Sequence, residues 1–150
     1  MALDVQQTRL IALPPDTVAA YAMDWRHDHE WTQGIRTAEL TTEAPEGGFG
    51  LGAEVTRTAY FLGKRIDYVL RVSGYDPPTE LDMRSVAGPM PMHITYRFEP
   101  VGAGTRASIR VRGDASTYYR VAGPLMGLMV RRNLGKDLRD LERRLTGVTD

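Results

Sequence analysis

The sequence predicts an α+β fold: a meander of antiparallel strands with one long helix lying across one face. Three observations carry this. Strand-length runs follow one another with only short turn signals between them, so the connections are hairpins. Those runs alternate apolar and polar residues, which gives the sheet one wet face and one covered face. The last stretch, Gly123 to Thr146, instead repeats apolar residues at spacings of three and four, which is one face of a helix.

Taken in order, Val5 to Leu13 has the length of a first strand. Pro14-Pro15-Asp16 stops it and starts a helix, since prolines fit a first turn and a carboxylate favours its positive end. Val18, Tyr21, Ala22 and Trp25 continue at helical spacing, and the helix should end between Asp24 and His27. A polar stretch from His27 to Gln33 surrounds Trp31, and Ile35 to Glu43 can form the next strand. Gly47, Gly48, Gly50 and Gly52 then make a loop. No Gly-Lys-Ser/Thr follows them, so they are not a phosphate loop. The meander runs Ala53–Leu62, Arg65–Tyr75, Glu80–Val86, Met92–Glu99 and Arg106–Gly113. Alternation points Ile66, Tyr68, Leu70, Val72, Leu81 and Met83 inward, with Met92, Ile94, Tyr96, Phe98, Ala107, Ile109 and Val111. In the terminal helix Pro124 suits the first turn, and Val130, Leu134, Leu138, Leu141 and Leu145 form the stripe. Gly147 sits where a left-handed cap would end it.

The chain of 150 residues is expected to be one domain, 1–150, with 42% hydrophobic and 25% charged residues and a formal net charge of zero. Nothing in those totals points to nucleic acid, and no apolar run approaches the ~20 residues of a membrane helix. The chain has no cysteine, which excludes disulfides, thiolate metal sites and thiol catalysis. Its amino terminus lacks a basic segment followed by an apolar one, so a cytoplasmic location is the default expectation.

Several segments together resemble a known family. They are Ile11 to Val18 leading through Asp24 to Trp31, and the Tyr75-Asp76-Pro77-Pro78 turn before Glu80-Leu81. Tyr96 to Pro100 precedes Gly104-Thr105, and Gly123-Pro124-Leu125 opens a helix carrying Asp137-Leu138 and Leu141-Glu142. The chain resembles the polyketide cyclase/dehydrase and lipid-transport family of the START/Bet v 1-like (SRPBCC) superfamily. The resemblance implies a helix-grip fold: a curved antiparallel sheet wrapped around the long last helix, an apolar cavity between them, and two short helices after the first strand. It does not fix an activity, since such families include aromatase/cyclases, hydrolases, carriers and sensors.

Following the apolar stripe of the last helix backwards, bulk stops and the positions become Gly127 and Gly123. A hollow is therefore expected under that half. Its predicted lining is Trp31, Tyr68, Met83, Met92, Tyr96 and Met126, with Met129, Gly127 and Val130. Thioethers and aromatics of this kind suit an adaptable apolar pocket. Catalysis would need a titratable group inside it. Tyr68 and Tyr96 could orient a carbonyl, and Arg57 or Arg71 would enter if its strand face were reversed; most other charged residues are expected outside. His27, His29 and Glu30 have the residue types of a metal site, but alternate positions converge only on a strand, and a helix end is expected here. No metal and no cofactor are therefore expected. Leu125, Leu128 and Met129 lie off the stripe, which calls for cover by loops or for contact with a partner, a second subunit or a membrane; loops or a homodimer contact are expected over a membrane.

The expected function is binding of a small or medium apolar ligand, as carrier or sensor. The alternatives are a cyclase, aromatase or dehydratase acting in the same cavity, or an interaction module using the outer face of the last helix. Whether the chain is an enzyme stays open at this level.

Overall fold

The computed structural model describes residues 3–114 and 123–147. Strand β1 (Leu3–Ile11) is followed by helix α1 (Pro15–Ala22), a 3-10 turn (Trp25–His27) and the short helix α2 (Asp28–Trp31). Strands β2 (Ile35–Thr42), β3 (Glu54–Phe61), β4 (Lys64–Asp76), β5 (Glu80–Ala87), β6 (Met92–Val101) and β7 (Gly104–Gly113) form the meander. Helix α3 (Gly123–Thr146) closes the chain.

The strands make one sheet in the order β1-β7-β6-β5-β4-β3-β2, antiparallel throughout. Strand β1 joins the far side of β7, from Leu3 opposite Gly113 to Ile11 opposite Thr105. It stops two residues short of the expected Leu13 because pairing ends at Thr105, whose hydroxyl donates to the Leu13 carbonyl at 2.6 Å. Register shifts interrupt β2 against β3 and β4 against β5. Extra residues of this sort bend a strand and increase its twist, and they help curve the sheet around α3.

Local chemistry explains the helix ends. Pro14 is extended, with φ −67° and ψ 154°, and Pro15 opens α1. The Asp24 carboxylate accepts from the Arg26 N–H at 3.0 Å and caps the 3-10 turn, which is why α1 stops at Ala22 rather than running on to Trp25. Gly147, at φ 71°, donates to the Arg143 carbonyl at 2.8 Å and ends α3 in the left-handed conformation.

The core lies between the concave face of the sheet and α3. Leu134, Leu138 and Leu141 are buried there, opposite inward-facing residues such as Val72, Leu81, Phe98 and Ile109. Helix α3 runs alongside β1: Gln7 donates to the Arg131 carbonyl, and Arg9 holds Glu142 at 2.8 Å. Its first turns therefore lie beside Leu3, at the end of the sheet where β7 stops. Helix α1 packs against β6, β7 and α3, and α2 packs against β2 and α3.

Candidate functional site

Between the sheet and α3 lies a cavity of about 160 Å³. Its walls are mostly apolar, with Ile35, Ile66, Met92, Ile94, Ile109 and Leu134 among them. A cavity of ~150 Å³ is large enough for benzene, so the volume fits one aromatic ring or a short alkyl chain. A longer molecule would extend through the open end, where the cavity reaches the exposed residues Tyr60 and Pro91.

One corner of this cavity is polar. Arg57 shares the inward face of β3 with Val55 and Ala59, and is 2% exposed. It donates Nε and Nη2 to Asp28 Oδ2 at 3.1 and 2.9 Å, and Nη2 also approaches the Tyr96 hydroxyl at 3.4 Å. Among the described residues Nη1 has no such bond. Burial is the largest influence on Arg57 and opposes its charge; Asp28, then Tyr96 and Tyr68, outweigh it and hold the guanidinium protonated. Burial likewise pushes the Asp28 carboxyl up, against the pull of Arg57. The Tyr96 hydroxyl rises to about 12, chiefly through burial, and stays a neutral donor.

Asp137 completes the corner from the helix side. It is 4% exposed and borders the cavity, and its Oδ1 accepts the Gln33 N–H at 2.7 Å. Gln33 is held in turn by its side-chain amide on Asp140, at 2.7 Å. Burial raises the Asp137 carboxyl from 3.8 to about 7, against the lowering effects of the Gln33 bond and the Arg57 charge. Thr32 also borders the cavity; its Oγ1 is buried without a hydrogen-bond partner among the described residues, as is Trp31 Nε1. The cavity thus offers a cation, a phenol and a carboxyl that changes charge near neutrality, all at one end of an apolar chamber.

The predicted site residues divide in two. Tyr68, Tyr96, Met92, Val130 and Arg57 border the cavity. Trp31, Met83 and Met126 are buried in the packing around it but do not border it. Trp31 supports the site indirectly, with its ring 5.5 Å from that of Tyr96. Arg71 does not enter: Leu70 and Val72 take the inward positions on β4, and Arg71 pairs on the outer face with Glu54 at 2.7 Å.

Gly127 corrects the expectation most sharply. A Cβ built there would meet Leu3 at 3.8 Å and Val5 at 4.0 Å, so the glycine lies against β1 and not over a void. The cavity lies one face further round the helix, under Val130, Asn133, Leu134 and Asp137. The surroundings of Gly123 lie outside the described residues. His27 bonds Glu30 at 2.7 Å and stacks on Tyr21, while His29 is exposed. His93 stands on the outer face, bonded to Asp82 at 2.6 Å.

Asp137, Asp28, Gln33 and Asn133 were missed by sequence reasoning. A signal for Asp137 existed: it sits three residues after Leu134 and four before Leu141, inside the stripe that should be apolar. A carboxylate at such a position is costly unless it is used or neutralised. Asp28 has no comparable signal, because its burial depends on the distant Arg57.

A family model described as "Polyketide cyclase / dehydrase and lipid transport" matches residues 2–146. No curated protein matches the chain. Solved structures share its fold at low identity. A START superfamily protein from Mycobacterium smegmatis is 14% identical with a TM-score of 0.82, covering 97% of this chain and 99% of that one. TTHA0849 from Thermus thermophilus is 19% identical with a TM-score of 0.79, covering 98% and 99%. The Zhui aromatase/cyclase from Streptomyces sp. R1128 is 16% identical with a TM-score of 0.76, covering 97% and 94%.

Proposed function

The chain belongs to the polyketide cyclase/dehydrase and lipid-transport family, and from that premise we propose that it encloses one small or medium apolar molecule bearing an oxygen function at one end. The observation that carries this is the buried polar corner, Arg57, Tyr96 and Asp137, in a cavity whose walls are mostly apolar. Burial of apolar area, at about 25 cal/mol per Å², supplies most of the affinity. The corner sets orientation: Arg57 Nη1 and the Tyr96 hydroxyl donate to a carbonyl, phenol or enol oxygen. Polyketide-like, aromatic and lipid molecules all meet this description, and the reading is a carrier or sensor.

A second reading is favoured by Asp137, whose carboxyl is poised near neutrality beside a fixed cation. As carboxylate it can take a proton from a carbon next to a ligand carbonyl, while Arg57 and Tyr96 face the enolate oxygen that forms. The carbanion carbon then adds to a second carbonyl of the same ligand, closing a ring. The protonated Asp137 returns its proton to the new alkoxide, and loss of water would give the unsaturated ring.

Native mass spectrometry of the purified protein tests the first reading. One apolar species per chain, or a one-to-one adduct with an added naphthol-type or polyketide-like compound, is the expected outcome. Absence of any adduct, together with no rise in melting temperature at saturating concentrations, refutes it. The second reading requires in addition that Asp137→Asn binds such a compound yet leaves its mass and absorption spectrum unchanged where the wild type alters them.

A further inference from the structure

The β2–β3 loop and the β4–β5 turn lie at the end of the sheet away from the β3–β4 hairpin, and with α1 they enclose an open groove of about 660 Å³. The groove shares no lining residue with the cavity beneath α3, so it stands apart from the function proposed above. Its size falls within the ~300–1,000 Å³ usual for small-molecule sites.

Three aromatic rings shape its walls. Trp25 comes from the 3-10 turn, Phe49 from the glycine-rich loop and Tyr75 from the end of β4. Phe49 meets Tyr75 edge-on, with ring centroids 5.4 Å apart, and also packs against the core. Tyr75 is exposed and Trp25 half-buried, so ring surface is left open to a ligand. Ala19, Ala20 and Met23 line the groove from α1, and the alanines leave room that a larger side chain would fill. Among the described residues the Trp25 indole N–H makes no hydrogen bond.

Charge gives these walls a preference. Five carboxylates stand in or beside the groove against one guanidinium, in a chain whose formal net charge is zero. Asp16 and Asp24 line it with Arg26, Glu43 and Glu46 belong to the β2–β3 loop, and Asp76 ends β4. Arg26 is already matched, because its Nε and Nη2 donate to the two oxygens of Asp24 at 3.0 and 2.9 Å. The carboxylates of Asp16, Glu46 and Asp76 have no hydrogen bond and no ion pair among the described residues. Aromatic faces favour the same sign of ligand, since the ring quadrupole draws a cation over the face, most strongly for tryptophan.

We propose that this groove is a second ligand site, which takes a small organic cation: an amine or quaternary ammonium group on an apolar body. The cationic head lies over the Trp25 and Tyr75 rings and faces Asp16, while the body lies along Met23 and Phe49. With Arg26 satisfied and Asp16 unpaired, the bound cation completes an ion pair that folding leaves open. The same carboxylates repel an anionic ligand, and a neutral one gains burial alone.

Phenylbutylamine, phenylbutanol and phenylbutyrate test this, because they share one apolar body and differ in the charge of the head. In calorimetry of the intact protein the amine should bind one per chain, and the alcohol at least about fivefold more weakly. The acid should not bind measurably, and amine affinity should fall as salt is raised. The amine should also change tryptophan fluorescence, and Trp25→Phe should abolish that change although Trp31 remains. Asp16→Asn and Tyr75→Ala alter exposed residues and should each weaken amine binding by about fivefold or more. Asp137→Asn, in the cavity, and Asp4→Asn, an exposed carboxylate on β1, should leave it unchanged. Circular dichroism checks that every variant is folded. Equal binding of amine and alcohol, loss of amine binding in Asp137→Asn or Asp4→Asn, a fluorescence change that persists in Trp25→Phe, or no amine binding at millimolar concentration would each overturn the proposal. A cavity adduct in native mass spectrometry without amine binding would refute the groove alone, and the converse result would refute only the cavity reading.

Discussion

Replacing Asp137 by asparagine should stabilise this protein, and by an amount that depends on pH. The Asp137 carboxyl stands at about 7 in the fold against an ordinary 3.8, because burial disfavours its charge. Between those values the unfolded chain has lost the proton and the native chain still holds it, so stability falls as pH rises. The shift is roughly three units at 1.36 kcal/mol each, giving a penalty of about 4 kcal/mol that is fully present only above about pH 7. Asparagine keeps an oxygen for the Gln33 N–H and carries no charge. Urea unfolding of wild type and Asp137→Asn at about pH 5, 6, 7 and 8 reads the difference directly. The gap should widen with pH and flatten above neutrality, ending at a sizeable part of a typical domain stability of 5–15 kcal/mol. Parallel curves across that range would refute the account of Asp137 as a carboxyl strained by burial. Ligand binding supplies an independent check: a carbonyl ligand should bind better below about pH 7, where Asp137 can donate its proton to the oxygen.

Other substitutions probe the remaining parts. Arg57→Leu strands Asp28 in the core and should cost about 3–5 kcal/mol in urea unfolding, while Arg57→Leu with Asp28→Leu should recover much of it. Tyr96→Phe should weaken ligand binding by about tenfold in calorimetry, with a stability change of no more than ~1.5 kcal/mol. Leu62→Asn should raise stability in thermal unfolding by roughly 0.5–1 kcal/mol by relieving the hairpin. Gly34→Ala should destabilise the fold by about 1–3 kcal/mol, since its φ is 80° and a Cβ would run into the Tyr60 carbonyl.

The fold was largely legible because each element has a local cause. Pro14-Pro15 breaks β1 into α1, two-residue turns join β3 to β4 and β6 to β7, and the α3 stripe needs a sheet to lie on. The site was legible only where alternation decides the matter, as at Tyr68, Met92 and Tyr96. Arg57 was ambiguous because a charge on an inward face is unfavourable until its partner is known, and that partner, Asp28, comes from another element. Gly127 misled for a related reason. A missing side chain can mean empty space or a close neighbour, and sequence periodicity does not distinguish them.

That close neighbour makes position 127 a gauge for how far the last helix stands off the first strand. A Cβ there would just touch the Leu3 and Val5 side chains, at 3.8 and 4.0 Å, so anything larger than alanine would press on them. A bulkier residue would act as a shim, tilting the helix outward and widening the chamber rather than plugging it.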